Sequence, residues 1–558
     1  MMTAIDVSSA TEDAVVAALK AFMAEREPLY LVGGAVRDHL LGVSSVPGWS
    51  YRPAVPRHPA RAPTSSSHEP RPTATTDLDL VLPGPVLPVA RRVADRLGWA
   101  YYPLDKTRDV ARLVGVGADG RRIECDAAAL RGDLNADLLA RDFTVNSMAL
   151  EISTAGQPKL IDPNGGAADL EARTLRQTAP DSFDNDPVRL LRAARLAVQL
   201  SFKIEDSTMA QIAARAAAVL AVSIERVREE LWKLLDCTSP EAGVRELEAL
   251  GLLAHLLPEV KALQGVVQPS PHHLDAYEHS LLTVHYAAEL RDWLRGGPPP
   301  EDGALSHALA PWRVPLRKHF AGEIAAGRDR AGWLVWHALL HDTGKAGGLP
   351  PTECHNDAGR PRRTDHYSLS AKVAHERISH LRFSRREVVL AQKVAALHGR
   401  PRRLYLALDA NQSSVPPREA FRYFREAGSV AGGRQVLHGT HAGSASPPLD
   451  GVDVVLQALS DMQATGLERG EDWPRFLAAL ASLLESAFSQ QPPHLTAPFV
   501  DGHTVMAHLD LSEGPAIGAI LRQLAEAQAA GELSSAAEAL ALAETLLAAK
   551  KSARTSGV

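Results

Sequence analysis

The chain has 558 residues, 23% of them charged, with a formal net charge of -6 and a pI near 6.4. That length predicts three or four domains, and the mild acidity excludes a globally basic nucleic-acid binder, so any phosphate-rich partner must be met by local patches. Three widely spaced cysteines, Cys125, Cys237 and Cys354, exclude a disulfide framework and a zinc finger, and the lack of a membrane-length apolar run or signal-like start predicts a cytoplasmic protein with no membrane contact.

In chain order, Leu29 to Val32 is a short apolar run that predicts a buried strand, and Gly33-Gly34 predicts a tight turn into a helix over Ala35 to Leu41. Backbone N–H groups at such a turn attract phosphate, and Arg37 carries a guanidinium suited to bidentate phosphate contact. Residues 44–76 break the pattern, with seven prolines alternating with Arg, Ser and Thr, which predicts an exposed, disordered insertion. At its end stands Thr75-Thr76-Asp77-Leu78-Asp79-Leu80. Residues i and i+2 of a strand share a face, so Asp77 and Asp79 point into one space and can hold hard divalent cations such as Mg2+. Alone, Asp-x-Asp is more often a pair of solvated acids. The glycine turn beside it argues for phosphoryl chemistry.

A helix over Pro88 to Leu97 and strands near Val110 to Val116 and Arg122 to Ala127 extend a mixed α/β head that ends near Leu150. Within Arg141 to Ala149, charged, amide and apolar residues either cap a helix or meet a ligand. Beyond Asp162 helical spacing takes over, at Leu190 to Leu200, Met209 to Leu220 and Ile224 to Leu235. Asn185-Asp186-Pro187 opens a helix in which Asp186, Arg189, Arg192 and Arg195 fall three apart along one stripe, able to offer planar edges to a nucleobase and charge to phosphates. Pro-rich stretches at 296–300, 446–448 and 492–498 mark exposed joins, and an Ala-rich helix pair is expected at 516–530 and 535–550.

Over residues 28–270 these motifs together resemble the class II tRNA nucleotidyltransferase and poly(A) polymerase family, which adds C or A to RNA 3' ends. The resemblance implies a catalytic motif at Gly33, Gly34, Arg37, Asp38, Asp77 and Asp79, and ribose recognition at Arg141, Asp142 and Asn146. It implies a base template at Asp186 and Arg189, with Asn185 where the family carries Glu, and triphosphate contacts from Arg192 and Arg195. A third acid falls on Asp126, with Glu124 competing on the same strand face. Farther on, Tyr277-Glu278-His279-Ser280, His341-Asp342-Thr343-Gly344-Lys345, Asp365-His366-Tyr367 and Leu397-His398 resemble an HD phosphohydrolase domain. Its implied ligands are His279, His341, Asp342 and His366, holding Ni, Mn, Co or Mg. The family's last ligand aspartate is expected near Thr440 and His441, where none stands.

The fold class that follows is α+β: a mixed-sheet nucleotidyltransferase head (1–150), an all-α neck for base and RNA binding (151–268), an HD domain (269–445) and a helical tail (446–558). The implied activity is two-metal addition of C and/or A to tRNA from CTP and ATP. Poly(A) synthesis, a metal phosphohydrolase acting on 2',3'-cyclic phosphates, and an RNA-binding protein with dead sites are the alternatives. Residue patterns leave the oligomeric state open.

Overall fold

The computed structural model describes residues 14–42, 76–117, 122–152, 159–269, 272–325, 327–347, 366–428, 449–466, 470, 472–489 and 497–555. The Pro-rich insertion up to residue 75, Asp365, the 437–441 stretch and the 446–448 join lie outside them. The chain forms two compact units, residues 1–222 and 223–558.

The first unit is built on a seven-stranded sheet of order β3-β4-β5-β2-β1-β6-β7. Its strands are β1 (Leu29–Val32), β2 (Thr76–Leu82), β3 (Ala100–Asp105), β4 (Val110–Val116), β5 (Arg122–Ala129), β6 (Ala149–Ile152) and β7 (Lys159–Ile161). All neighbours run antiparallel except β2 and β5. Alternation assigns the faces: Leu78, Leu80, Ala111, Leu113, Ile123, Cys125 and Ala127 are buried, while Asp77, Asp79, Arg112, Glu124 and Asp126 occupy the intervening positions. A one-residue slip of β4 would move Ala111, Arg112 and Leu113 to the wrong side. The helix Val86–Leu97 buries Val86, Val89, Ala90, Val93 and Ala94 and packs on β3, β4 and β5. Pro85 precedes it and offers no side-chain cap. Instead Asp109, in the β3–β4 turn, accepts from Val86 N at 2.6 Å and Leu87 N at 2.8 Å, satisfying two orphan donors of the first turn. The sheet continues to Ile161, past the expected head end near 150, because β7 pairs with β6 as an edge strand. Helices follow at Gly166–Glu171, Ser182–Asn185, Val188–Leu200 and Asp206–Ala214.

Among its described residues the second unit is helical apart from one two-stranded ribbon at Glu323–Ala325 and Arg328–Asp329. Three helices, Ala276–Leu294, Arg330–Leu340 and Asp450–Ala464, pack together at its centre. Fully buried Trp333 and Trp336 meet Phe383 with ring centroids 5.1 and 5.4 Å apart. Buried charge there is paired: Arg330 donates to Asp453 at 2.6 Å and to Asp450 at 2.8 Å. The tail helices Gly502–Leu509, Pro515–Ala529 and Ala536–Thr555 enclose a separate small core around Val505, Ile517, Ile520, Leu524, Ala539 and Ala543. No helix among the described residues is long and apolar enough to cross a membrane.

Candidate active site and metal centre

β1 and β2 pair with Val32 opposite Asp79, which sets Asp79 against the turn that follows β1. Gly33 has φ +74°, and a Cβ there would meet Asp79 Oδ2 at 3.0 Å and Arg141 Nη1 at 3.3 Å. Only glycine permits both the backbone conformation and the carboxylate's approach. Asp77 lies two residues earlier on the same face and is exposed, whereas Asp79 is partly buried. Across the parallel β2–β5 ladder Asp79 is opposite Asp126 and Asp77 opposite Glu124. Four carboxylates thus share one surface, an oxygen-rich donor set that fits hard divalent cations.

Burial lifts the Asp79 carboxyl to about 6 against the pull of Arg141, and the Asp126 and Asp77 charges add to the rise. The folded chain therefore holds the Asp79 proton more tightly than the unfolded chain. Above about pH 6 ionising it works against the fold, and below about pH 4, where both states are protonated, the effect vanishes. Without metal, Asp79→Asn is expected to stabilise the protein at pH 7.5 by up to about 3 kcal/mol, raising Tm by several degrees, with most of the gain lost at pH 4. Thermal melts of both proteins at the two pH values check this; an unchanged or lower Tm at pH 7.5 contradicts it.

Behind the acids runs a chain of hydrogen bonds. Buried Arg37 donates to Asp38 Oδ1 and to Asn146 Oδ1, each at 2.7 Å, and Asn146 Nδ2 donates to Asp142 Oδ1 at 3.1 Å. Arg192 donates to Asp142 Oδ2 from Nε at 2.9 Å and from Nη2 at 2.7 Å. Burial would raise Asp142, but the Arg192 guanidinium and the hydrogen bonds from Arg192, Asn146 and the Phe143 N–H together hold the carboxyl below its usual value. The residues expected at the turn, at the ribose motif and on the helical stripe therefore form one connected array. Arg189 donates to Ser182 Oγ at 2.8 Å and to the carbonyls of Ala140 (2.6 Å), Arg141 and Ser182 (both 3.2 Å), which pins its guanidinium beside the end of the Leu134–Leu139 helix. Asp186 is partly exposed at the start of the same helical stripe. Arg195 is buried and donates to Gln199 at 2.7 Å.

In the second unit, His279, His341, Asp342, His366, His398 and Asp461 converge. Asp342 lies between two groups. Its Oδ2 is 3.1 Å from His341 Nε2 and 3.7 Å from His279 Nε2, while its Oδ1 is 3.6 Å from both His366 Nε2 and His398 Nε2. Asp461 Oδ1 is 2.9 Å from His279 Nε2 and 3.6 Å from His341 Nε2. Nδ1 of His341 sits 2.7 Å from the Ala338 carbonyl and Nδ1 of His398 2.9 Å from that of Ala395. A carbonyl can only accept, so each ring carries its proton on Nδ1 and turns Nε2 to the centre, an arrangement typical of metal-binding histidines. Burial would lower His341, but the charges and hydrogen bonds of Asp342 and Asp461 together raise the ring above its ordinary value, while burial lowers His366 to about 4. Asp342 Oδ1 and His341 Nε2 are buried with no hydrogen-bond partner, which a cation between them would satisfy. This donor set fits one divalent ion at His279, His341, Asp342 and Asp461, and a second across Asp342 at His366 and His398.

The expected carboxylate does not come from 440–441, which lies outside the described residues; Asp461 supplies one to this cluster. It sits on the Asp450–Ala464 helix in Leu459-Ser460-Asp461-Met462, with no flanking histidine to mark it. The available signal was Asp450, Asp453, Gln457 and Asp461, polar residues at helical spacing within an otherwise apolar stretch. Lys345, in the same motif as Asp342, makes a short contact to Asp342 Oδ2 and donates to Gln268 at 2.5 Å.

A family model described as the poly A polymerase head domain matches residues 108–176, and one described as a probable RNA and SrmB-binding site of polymerase A matches residues 201–264. The A-adding tRNA nucleotidyltransferase of Deinococcus radiodurans is 30% identical over 520 residues, covering 92% of this chain and 94% of that protein. The CC-adding tRNA nucleotidyltransferase of Thermus thermophilus is 31% identical over 518 residues, covering 91% and 92%. A solved CCA-adding enzyme complexed with ATP shares the fold, with a TM-score of 0.54, 20% identity and 95% coverage of both chains. With an aspartate pair against a glycine turn, an arginine–aspartate array behind it, and relatives matched along nearly their whole length, the chain belongs to the tRNA nucleotidyltransferase and poly(A) polymerase family.

Proposed function

We propose that this protein adds C and/or A, from CTP and ATP, to the 3' end of tRNA and releases pyrophosphate, working in the cytoplasm. The observation that carries the proposal is the placement of Asp77 and Asp79 on one strand face against the Gly33 turn. The A-adding and CC-adding names of the relatives support the substrate. Asp77 and Asp79 would hold magnesium, with Asp126 opposite Asp79 on the next strand; the ion would lower the pKa of the attacking 3'-hydroxyl and neutralise charge on the departing pyrophosphate. Arg141 and the Arg192–Asp142–Asn146–Arg37 array orient the ribose and triphosphate by fixed hydrogen bonds, so little reorganisation accompanies reaction. Asp186 and the free edge of the pinned Arg189 read the base.

Replacing Asp186 with Ala is expected to erode preference for CTP and ATP over UTP and GTP by about 10–100-fold, the worth of one well-made base contact. Competition assays with all four nucleotides measure it, and unchanged selectivity counts against the template. The wider test offers tRNA ending at the discriminator base, at -C and at -CC with each nucleotide separately. Long homopolymeric tails would instead mark a poly(A) polymerase.

A second activity is favoured by the His279/His341/Asp342/Asp461 cluster: hydrolysis of 2',3'-cyclic phosphates or nucleotides by a divalent metal, Ni, Mn, Co or Mg. His366 and His398 add two more donors across Asp342, and Lys345 beside Asp342 offers a cation to a phosphoryl oxygen.

A further inference from the structure

The acidic face of the head carries more charge than a two-carboxylate metal site needs. Register aligns Arg112 on β4 with Asp126 on β5, and Asp126 in turn with Asp79 on β2, so the three form one straight row across the sheet. In the next row Glu124 stands opposite Asp77. Arg112 spends all three guanidinium nitrogens on the outer acids: Nε and Nη2 each meet one oxygen of Asp126 at 2.8 Å, and Nη1 meets Glu124 at 3.0 Å. The bidentate fork fixes the plane of the Asp126 carboxylate beside Asp79, as a point-like ammonium could not. Arg112 is 38% exposed and Asp126 29%. Ion pairs so open to water add little to stability, so the arrangement is poorly explained as a fold support.

Resting on the nucleotidyl-transfer reading of the head, we propose that Arg112 is a positioning residue: it holds Asp126 in line with Asp79 and neutralises the two outer acids, confining divalent cations to Asp77 and Asp79. Charge and fork are two separable contributions. Arg112→Met removes both, whereas Arg112→Lys keeps the charge and loses the fork.

The experiment measures kcat and KM for ATP on tRNA, in the full-length protein, as a function of Mg2+ concentration. For Arg112→Met, kcat is expected to fall about 100-fold, the scale of a misplaced reacting group, with ATP KM within about threefold and Tm within about 2 °C. The half-saturating Mg2+ concentration should drop by about threefold or more, and excess Mg2+ should turn inhibitory as the outer acids gain a cation. Arg112→Lys should lose kcat while retaining the wild-type Mg2+ dependence. Asp126→Asn should reproduce the kcat loss, and combining it with Arg112→Met should add little, since the two act as one unit. The inference is overturned if Arg112→Met keeps kcat within twofold, if kcat and Tm collapse together in both Arg112 variants, or if Lys and Met give the same Mg2+ dependence. Should Asp77→Ala with Asp79→Ala still add nucleotides, the reading of the head fails; if that pair is dead and Arg112→Met is normal, only the role of Arg112 fails.

Discussion

Asp77→Ala combined with Asp79→Ala should leave tRNA 3' ends unextended, a loss of roughly a thousandfold or more, since the charge stabilisation supplied at a two-metal site is worth several kcal/mol of barrier. The measurement is incorporation of labelled CTP and ATP. Two controls sharpen it. Folding should be intact, because removing Asp79 removes a carboxyl that burial holds near 6 and therefore relieves the apo protein. ATP affinity should change less than rate, because the array running from Arg37 through Asn146 and Asp142 to Arg192 remains. Incorporation at the wild-type rate would remove the basis for a catalytic head.

The second large effect belongs to the helical unit. His341→Ala with Asp342→Ala deletes the residue that both ligand groups share and one of the two rings whose Nδ1 is fixed by a backbone carbonyl. Bound metal, measured by elemental analysis after dialysis, should fall to background, and hydrolysis of 2',3'-cyclic nucleotides should fall by about two orders of magnitude or more. Addition of nucleotides by the head should continue. Asp461→Asn provides the finer probe: it keeps the shape and removes a carboxylate charge, with an expected weakening of metal binding by about 10–100-fold. Full metal occupancy in the double variant would mean that these six side chains are not the ligands.

The head was legible in sequence because its signals are local. A strand's period of two puts Asp77 and Asp79 together whatever the rest of the chain does, and Gly33 is tied to a turn by its backbone freedom. The strand β3 was missed: Ala-Tyr-Tyr-Pro-Leu-Asp carries a proline and an exposed edge, and its pairing with β4 is what makes it a strand. Register was also beyond local reading. That Asp126, and not Glu124, lines up with Asp79 follows from the β2–β5 ladder, whose two strands are separated by 39 residues of intervening chain or more. The metal centre was half legible: His279, His341, Asp342 and His366 sit in recognisable surroundings, His398 was seen without being counted among the ligands, and Asp461 is defined only by tertiary packing of its helix against Ala276–Leu294 and Arg330–Leu340.

His279 and Asp461 touch across 182 residues of chain. During synthesis His279 must therefore wait, with its neighbours already translated, until the Asp450–Ala464 helix has been made before its carboxylate partner arrives. A cation captured then would act as a clasp joining two helices made far apart in time.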